Sequence, residues 1–563
     1  TKASTVGSFQ IVGDTLTAYS GSESNVTVPD GVRVIGKEAF KGNTGIITVT
    51  LPSTVEEIDY RAFYGCTNLK SINLPETLKI LEEGAFQNCK NLATTGCENV
   101  LPAAIEAAGK NAFYSCGLLA GKLVLPKGLT ALGESVFYGC ASLTGLTMEE
   151  GFNGLDAAGG QFNGCDGLTA VTLSSDLTEL PVRTFFDCGL TELPDLKNVT
   201  SIGQACFQRN DNLTEITVPE TVTMLAGNAF AYCKGLKKVT VLGDPAQGSG
   251  AFSKDTALTE FVAPKLTSIG KNAFEGDTAL TTFTVPDNIV LIDDYAFKGC
   301  TALEALVFPA TYKASTLTMG LLVFQNCKAF TGIVVEDGAN IRLDSEGVLF
   351  SGDGKTLIGT VDTFAATSYT VPDGVEQISS YAFYKKTKLA SVTLPESLKS
   401  IGDYAFNGCT ALKTVSLPAG LETLGTYAFS ECSALTAVDF GEALTAIPPY
   451  AFNKCAALTK VELPATVTTI ANNAFYNNSK LTAVTFPEGL TEIGKSAFYG
   501  CSKLTKAILP QSLTTMGTEA FSGCSALTEI DCGGLTVIPV KAFRGVSKLV
   551  KLTLSDNVTD IGD

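Results

Sequence analysis

The chain has 563 residues and a formal net charge of −17, from 57 acidic and 40 basic residues. Such a surface repels nucleic-acid backbones, no basic run offsets it, and no uninterrupted apolar stretch of about 18 residues is present to span a membrane. Histidine and tryptophan are absent, which removes the usual general base at neutral pH and the commonest metal ligand, and with them any Ser-His-Asp, Cys-His or HExxH site.

The sequence starts at Thr1 with neither methionine nor signal peptide, as expected of a mature form or of a recombinant product. Residues 1–27 are predicted to form an N-terminal capping hairpin: Phe9 to Val12 and Thr15 to Tyr19 flank a Gly13-Asp14 turn and lead into Val28-Pro29-Asp30-Gly31-Val32. A repeat follows. Leu69, Ile72, Leu74-Pro75, Leu78, Leu81, Ala85-Phe86 and Cys89 return as Leu389, Val392, Leu394-Pro395, Leu398, Ile401, Ala405-Phe406 and Cys409. A phenylalanine marks about 21 copies of a unit of roughly 23 residues, from Phe40 to Phe543. Stretched copies end at Phe113, Phe162 and Phe324.

Residues 28–332 form the first array. Residues 333–371 read as a joint containing a second hairpin, Val348 to Ile358 with Asp353-Gly354 at its turn, which again leads into Val371-Pro372-Asp373-Gly374-Val375. Residues 372–563 form a second array whose last unit, Asn557 to Asp563, is expected to be cut short.

Within each unit, Ile72 and Leu74 alternate with Ser71 and Asn73, the period of a half-buried strand. Proline then closes the strand, and the segment carrying the phenylalanine is predicted to be a helical or 3₁₀ turn. No unit has a core of its own, so each is stable only when stacked between neighbours. The predicted fold class is an α/β repeat solenoid: a long parallel sheet on the concave side, helical or 3₁₀ turns on the convex side, and capping β-hairpins.

The unit Leu-x-x-Val-x-Leu-Pro-x-x-Leu-x-x-Ile-Gly-x-x-Ala-Phe-x-x-Cys, as in residues 389–409, resembles the BspA-like class of leucine-rich repeats. The hairpin followed by Val-Pro-Asp-Gly-Val is similar to segments of the same family. The resemblance covers nearly the whole chain. It implies a bacterial or protist surface protein, often an adhesin contacting host matrix or other cells, and carries over no catalytic residue.

Fourteen of the 17 cysteines, Cys66 and Cys89 among them, lie three residues after a repeat phenylalanine. A disulfide or metal ladder is one reading. A slot for a small buried residue is the other, and it fits the Asn43, Asn210, Asp255, Asp277, Lys386, Asn478 and Val546 found at the same place. Disulfides are not expected, because convex-side units should fan apart. Residues 337–344 are acidic but lack a calcium-loop pattern. Asn25, Asn198, Asn212, Asn477 and Asn557 open N-x-S/T triplets, which matter only in a eukaryotic secretory pathway.

Two surfaces are candidates for binding. The strand face offers small polar pairs such as Thr48/Thr50, Ser71/Asn73, Thr282/Thr284, Ser391/Thr393 and Thr414/Ser416, then Lys460/Glu462, Lys506, Glu529/Asp531 and Lys551, without aromatic anchors. Tyr295, Tyr381, Tyr404, Tyr427 and Tyr450 each precede their phenylalanine by two residues and should point outward. The last four fall in consecutive units and form the candidate partner-binding row, with Tyr384, Tyr476 and Tyr499 beside it; packing on neighbouring units is the competing reading.

The sequence therefore points to a non-catalytic, adhesin-like protein, extracellular or on the cell surface. It would be a monomer without cofactor or metal that contacts host or neighbouring-cell proteins or matrix, with no nucleic-acid partner. The alternative is a passive stalk presenting a domain beyond Asp563.

Overall fold

The computed structural model describes residues 3–361 and 364–562. Asp362 and Thr363 in the 333–371 joint, together with the chain-end residues Thr1, Lys2 and Asp563, lie outside the described residues. The chain forms two compact units, Thr1–Ala305 with Leu322–Phe330, and Leu306–Leu321 with Thr331–Asp563.

Each repeat supplies two short strands. In one repeat these are Ser71–Asn73, which buries Ile72 between two outward residues, and Ile80–Leu81, which buries Leu81. Stacking puts like residues side by side in parallel register. Val26, Val49 and Ile72 align in one ladder, and Ile35, Ile58, Leu81 and Ala108 in the other. In the second compact unit Ser368 pairs with Ser391, while Gln377, Ser400 and Thr423 pair in the second ladder. The single long sheet expected from sequence is thus replaced by two ladders, divided into sheets of two to eight strands. One break falls in the stretched repeat around Gly151, Gly154, Gly159 and Gly160, where Leu132 and Leu155 keep an isolated bridge.

The helical or 3₁₀ turns expected around phenylalanine are not seen; among the described residues there is no helix. The cause lies in the backbone. Residues two before and two after each repeat phenylalanine take the left-handed conformation, as at Arg61 (φ 53°) and Gly65 (φ 71°) on either side of Phe63. A right-handed helical run cannot pass through such residues. The N–H groups of Arg61, Phe63 and Gly65 instead donate across to Glu83, Ala85 and Gln87 of the next repeat, at 2.9, 2.8 and 2.8 Å. The phenylalanine turns are therefore laced together like a third ladder. Neighbouring repeats do not fan apart there: a Cβ added to Gly65 would lie 3.9 Å from the Cα of Gly42.

Inside this lacing the phenylalanine rings form a stacked column. Phe40 and Phe63 are 4.8 Å apart and 7° from parallel, and Phe406 and Phe429 in the second compact unit are 5.0 Å apart and 2° from parallel. Beside them runs the cysteine slot. The Cys89 thiol donates to the Phe63 carbonyl at 3.1 Å and the Cys432 thiol to the Phe406 carbonyl at 3.2 Å. Asn210 and Asn478 occupy the same slot and donate their amide N–H to Phe185 and Phe452 at 2.8 and 3.1 Å. All 17 cysteines are free thiols. What occupies the slot thiols is a carbonyl one repeat away, not a gap between repeats.

The segments preceding Val28-Pro29 and Val371-Pro372 share one design. Ala3–Val6, Phe9–Val12 and Thr15–Tyr19 form an antiparallel meander whose last strand pairs in parallel with Val34–Ile35. Ile341–Leu343, Val348–Ser351 and Thr356–Thr360 form a second, whose last strand pairs in parallel with Gln377–Ile378. In each meander the first strand extends a hairpin legible in the sequence.

Candidate functional site: a stacked tyrosine row

The position two before phenylalanine is left-handed, and the chain often fills it with residues to which that conformation comes cheaply. Gly84, Gly160 and Gly250 do so, as do Asn111, Asn228, Asn272 and Asn473. Tyr381, Tyr404, Tyr427 and Tyr450 stand in the same position with φ of 61°, 56°, 58° and 56°. Glu38, Arg61, Arg183, Leu322, Glu519 and Lys541 carry other large side chains in the same conformation elsewhere along the chain.

Lacing to the following repeat holds each tyrosine in place. Tyr381 N–H donates to Asp403, Tyr404 to Thr426, Tyr427 to Pro449 and Tyr450 to Asn472, at 2.9 to 3.1 Å. The rings then stack in order. Centroids are 5.2 Å apart for Tyr381 and Tyr404, 4.6 Å for Tyr404 and Tyr427, and 4.4 Å for Tyr427 and Tyr450, with planes within 13°. Tyr384 meets Tyr381 edge-on at 5.8 Å.

All four side chains are half-buried. Their ring faces cover one another while the phenol ends stay near solvent. Burial, followed by the charges Tyr450 and Tyr404 would carry if ionised and a hydrogen bond with Tyr450, pushes the Tyr427 phenol up to about 12. Burial and then Asp403 raise that of Tyr404. The fifth tyrosine, Tyr295, is also left-handed but sits apart from the row, with the Lys298 ammonium 5.5 Å from its ring centre. Tyr476 and Tyr499, just after their phenylalanines, make a separate stacked pair at 4.9 Å. Tyr114 and Tyr138 in the first compact unit form a similar pair at 4.5 Å, which the sequence reading did not single out.

The strand face is occupied with its own bonding. Asn73 both accepts from Leu51 N–H at 2.6 Å and donates to the Leu51 carbonyl at 2.9 Å. Thr48 donates to Asn25 at 2.7 Å and Ser416 to Asp439 at 2.9 Å. Glu529 lies between Lys506 and Lys551 at 2.8 and 2.9 Å. Hydrogen bonds from these two ammonium groups hold its carboxyl down at about 2.

Among the described residues, no group of three or more cysteine, aspartate and glutamate side chains is arranged to hold a metal ion, and no helix is long and apolar enough to cross a membrane.

A family model described as "BspA type Leucine rich repeat region (6 copies)" matches residues 11–144, 158–247, 247–342, 362–481 and 445–563. No curated protein sequence matches the chain. Among solved structures, a leucine-rich repeat protein from Eubacterium ventriosum is 23% identical, with 56% of this chain and 83% of that one covered and a TM-score of 0.44. A leucine rich cell surface protein from Faecalibacterium prausnitzii is 20% identical over 92% of this chain and 94% of its own, with a TM-score of 0.28. A leucine-rich repeat protein from Bacteroides ovatus is 18% identical over 99% and 97%, with a TM-score of 0.29.

Proposed function

Since the chain belongs to the BspA-type leucine-rich-repeat family, we propose that it is a non-catalytic, adhesin-like binding protein of the cell surface or extracellular space, and that Tyr381, Tyr404, Tyr427 and Tyr450 take part in the contact. Its partners are proteins or matrix of a host or neighbouring cell, met by a monomer over an extended repeat surface. The observation that carries this reading is the unbroken stack of four half-buried tyrosines on successive repeats, built over a left-handed backbone position common to every repeat. Such a backbone costs a non-glycine residue about 1–2 kcal/mol. Ring stacking returns about 0.5–1.5 kcal/mol per pair. Folding is served at this position by residues as different as Gly84, Arg61, Asn473 and Lys541, so no aromatic ring is required there. Tyrosine suits a contact surface because it offers area with few rotamers to freeze and a polar end.

The experiment is a pull-down from matrix and cell-surface extracts, followed by affinity measurement with the purified partner it identifies. Replacing Tyr404, Tyr427 and Tyr450 together by serine is expected to weaken that affinity at least tenfold, roughly 1.4 kcal/mol, while circular dichroism stays that of the parent. Unchanged affinity returns the row to a packing role. If no partner is retained at all, the passive-spacer reading takes its place.

A further inference from the structure

The slot beside the phenylalanine column normally holds a hydrogen-bond donor aimed back one repeat. Cys233 donates to Phe207 at 3.3 Å and Cys300 to Phe274 at 3.0 Å, on either side of two aspartates, Asp255 and Asp277. Both are fully buried. Each uses Oδ1 to accept a backbone N–H from the slot residue one repeat earlier: Cys233 N–H to Asp255 at 2.7 Å and Asp255 N–H to Asp277 at 2.9 Å.

That redirection changes the local bonding. In an ordinary repeat the slot N–H donates to its own phenylalanine carbonyl, as Cys66 does to Phe63 at 3.1 Å. Here the N–H groups of Cys233 and Asp255 go to a side-chain carboxyl oxygen instead. The other oxygen, Oδ2, of each aspartate is buried without a hydrogen-bond partner. In other repeats the slot side chain meets the carbonyl of the phenylalanine one repeat earlier, which by register is that of Phe230 for Asp255 and of Phe252 for Asp277. An ionised carboxylate would set lone pair against lone pair there, at a heavy desolvation cost.

We propose that Asp255 and Asp277 are neutral carboxylic acids in the folded chain, each donating its Oδ2 hydrogen to the carbonyl of Phe230 and Phe252 respectively, so that the repeats they join tighten in acid and loosen in alkali. The surroundings agree. The nearby Lys234, Lys271 and Lys298 pair instead with Asp211, Asp294 and Glu275. Asp211, which bears the same sign, lies near Asp255; the neighbouring thiols are Cys233 and Cys300; and the Lys254 ammonium is turned away to the Tyr232 hydroxyl at 3.0 Å. Burial, and for Asp255 also the nearness of Asp277, drives both carboxyls well above the usual range. The sign follows: a carboxyl with a raised folded-state pKa contributes its full stability below the unfolded value, and loses it as pH rises toward the folded value.

Two measurements on the full chain test this. First, infrared spectra near neutral pH should show a protonated carboxylic-acid band that disappears in Asp255→Asn/Asp277→Asn. Second, hydrogen exchange compared at about pH 5 and about pH 8, after correction for intrinsic rates, should show protection across 229–277 falling relative to 406–455, by about tenfold per pH unit for each group that ionises on opening. In the double variant, whose amides donate as Asn210 and Asn478 do, that difference should vanish. A missing acid band, or a pH profile identical in parent and variant, overturns the proposal. If the variant does not fold, the infrared spectrum of the parent across the same pH range still decides: carboxylate absorption alone at neutral pH is the overturning result.

Discussion

The thiol of Cys66 lies 3.0 Å from the carbonyl oxygen of Phe40, one repeat earlier in the chain. That carbonyl already accepts the N–H of Asn43 at 3.1 Å, so the thiol takes its second lone pair. The pairing explains how a residue with a reactive side chain can recur through a repeat array and remain a free thiol. Its hydrogen is committed to a bond, and its sulfur is sealed from solvent.

Thiol reactivity follows from this geometry. Burial pushes the Cys66 and Cys409 thiols up to about 12, so almost no thiolate is present at neutral pH to attack a reagent. An alkylating reagent should label the native protein at most at the half-buried Cys97 and Cys327, and the other cysteines only after denaturation. Peptide mass spectrometry without reductant reads the result. An inter-repeat disulfide such as Cys66 to Cys89 would contradict it.

The left-handed backbone at Tyr404 is tested by two replacements of opposite character. Asparagine adopts that conformation readily, whereas β-branched isoleucine does not. Both remove the ring and its two stacking partners. Tyr404→Ile should therefore unfold at lower urea than Tyr404→Asn, by about 1–2 kcal/mol in stability. Equal midpoints would mean that the backbone relaxes without cost.

How much of this the sequence revealed depended on which interaction carried the information. Side-chain periodicity did: Ile72 inside and Ser71 outside placed a strand, and the column from Phe40 onward set the register of every repeat. The bonding of the turn was not written in apolar spacing. Ala85-Phe86 reads equally well as helix or turn until its neighbours in the left-handed region are known. A signal was available: Gly84, Asn111 and Gly160 share the position of Tyr404, and glycine alternating with asparagine marks a left-handed residue. The threonine content has a similar origin. Thr459, Thr482 and Thr505 each donate a hydroxyl to the carbonyl of the threonine-bearing position one repeat earlier, at 3.3, 2.9 and 3.3 Å, which local sequence reading cannot anticipate.

Alkaline titration offers a further check on the stacked row. The neutral phenol of Tyr427 is favoured in the fold, so its contribution to stability is complete below about pH 10 and is lost as pH rises through about 12. Burial is the larger cause and Tyr450 the next. Tyr450→Phe should therefore lower the Tyr427 midpoint partway toward the ordinary value. Isotope-labelled tyrosine ring carbons followed by NMR would resolve it, and an unmoved midpoint would deny the coupling.

The reading of the chain as two arrays remains a proposal with a direct test. The meander from Ile341 to Thr360 seats its last strand on Gln377–Ile378 just as the N-terminal meander seats Thr15–Tyr19 on Val34–Ile35. A fragment of residues 341–563 should fold alone, with a β-type circular dichroism spectrum and a cooperative melt. A spectrum of unfolded chain would show that the second array depends on the first.

The bond between slot and phenylalanine also bears on how a chain of this kind can change length. Most slots ask only for a hydrogen donor, and the carbonyl they meet has the same position in every repeat. In-frame recombination that copies or deletes one whole repeat rebuilds the same pair across the new junction, leaving no donor stranded. Residues 233–277 depart from this pattern in a way that ties neighbouring slots together. Cys233, Asp255 and Asp277 are bonded as a relay, each to the next. A crossover inside that stretch would bury an acid without its partner, so gains and losses of repeats should be tolerated elsewhere along the array and purged there.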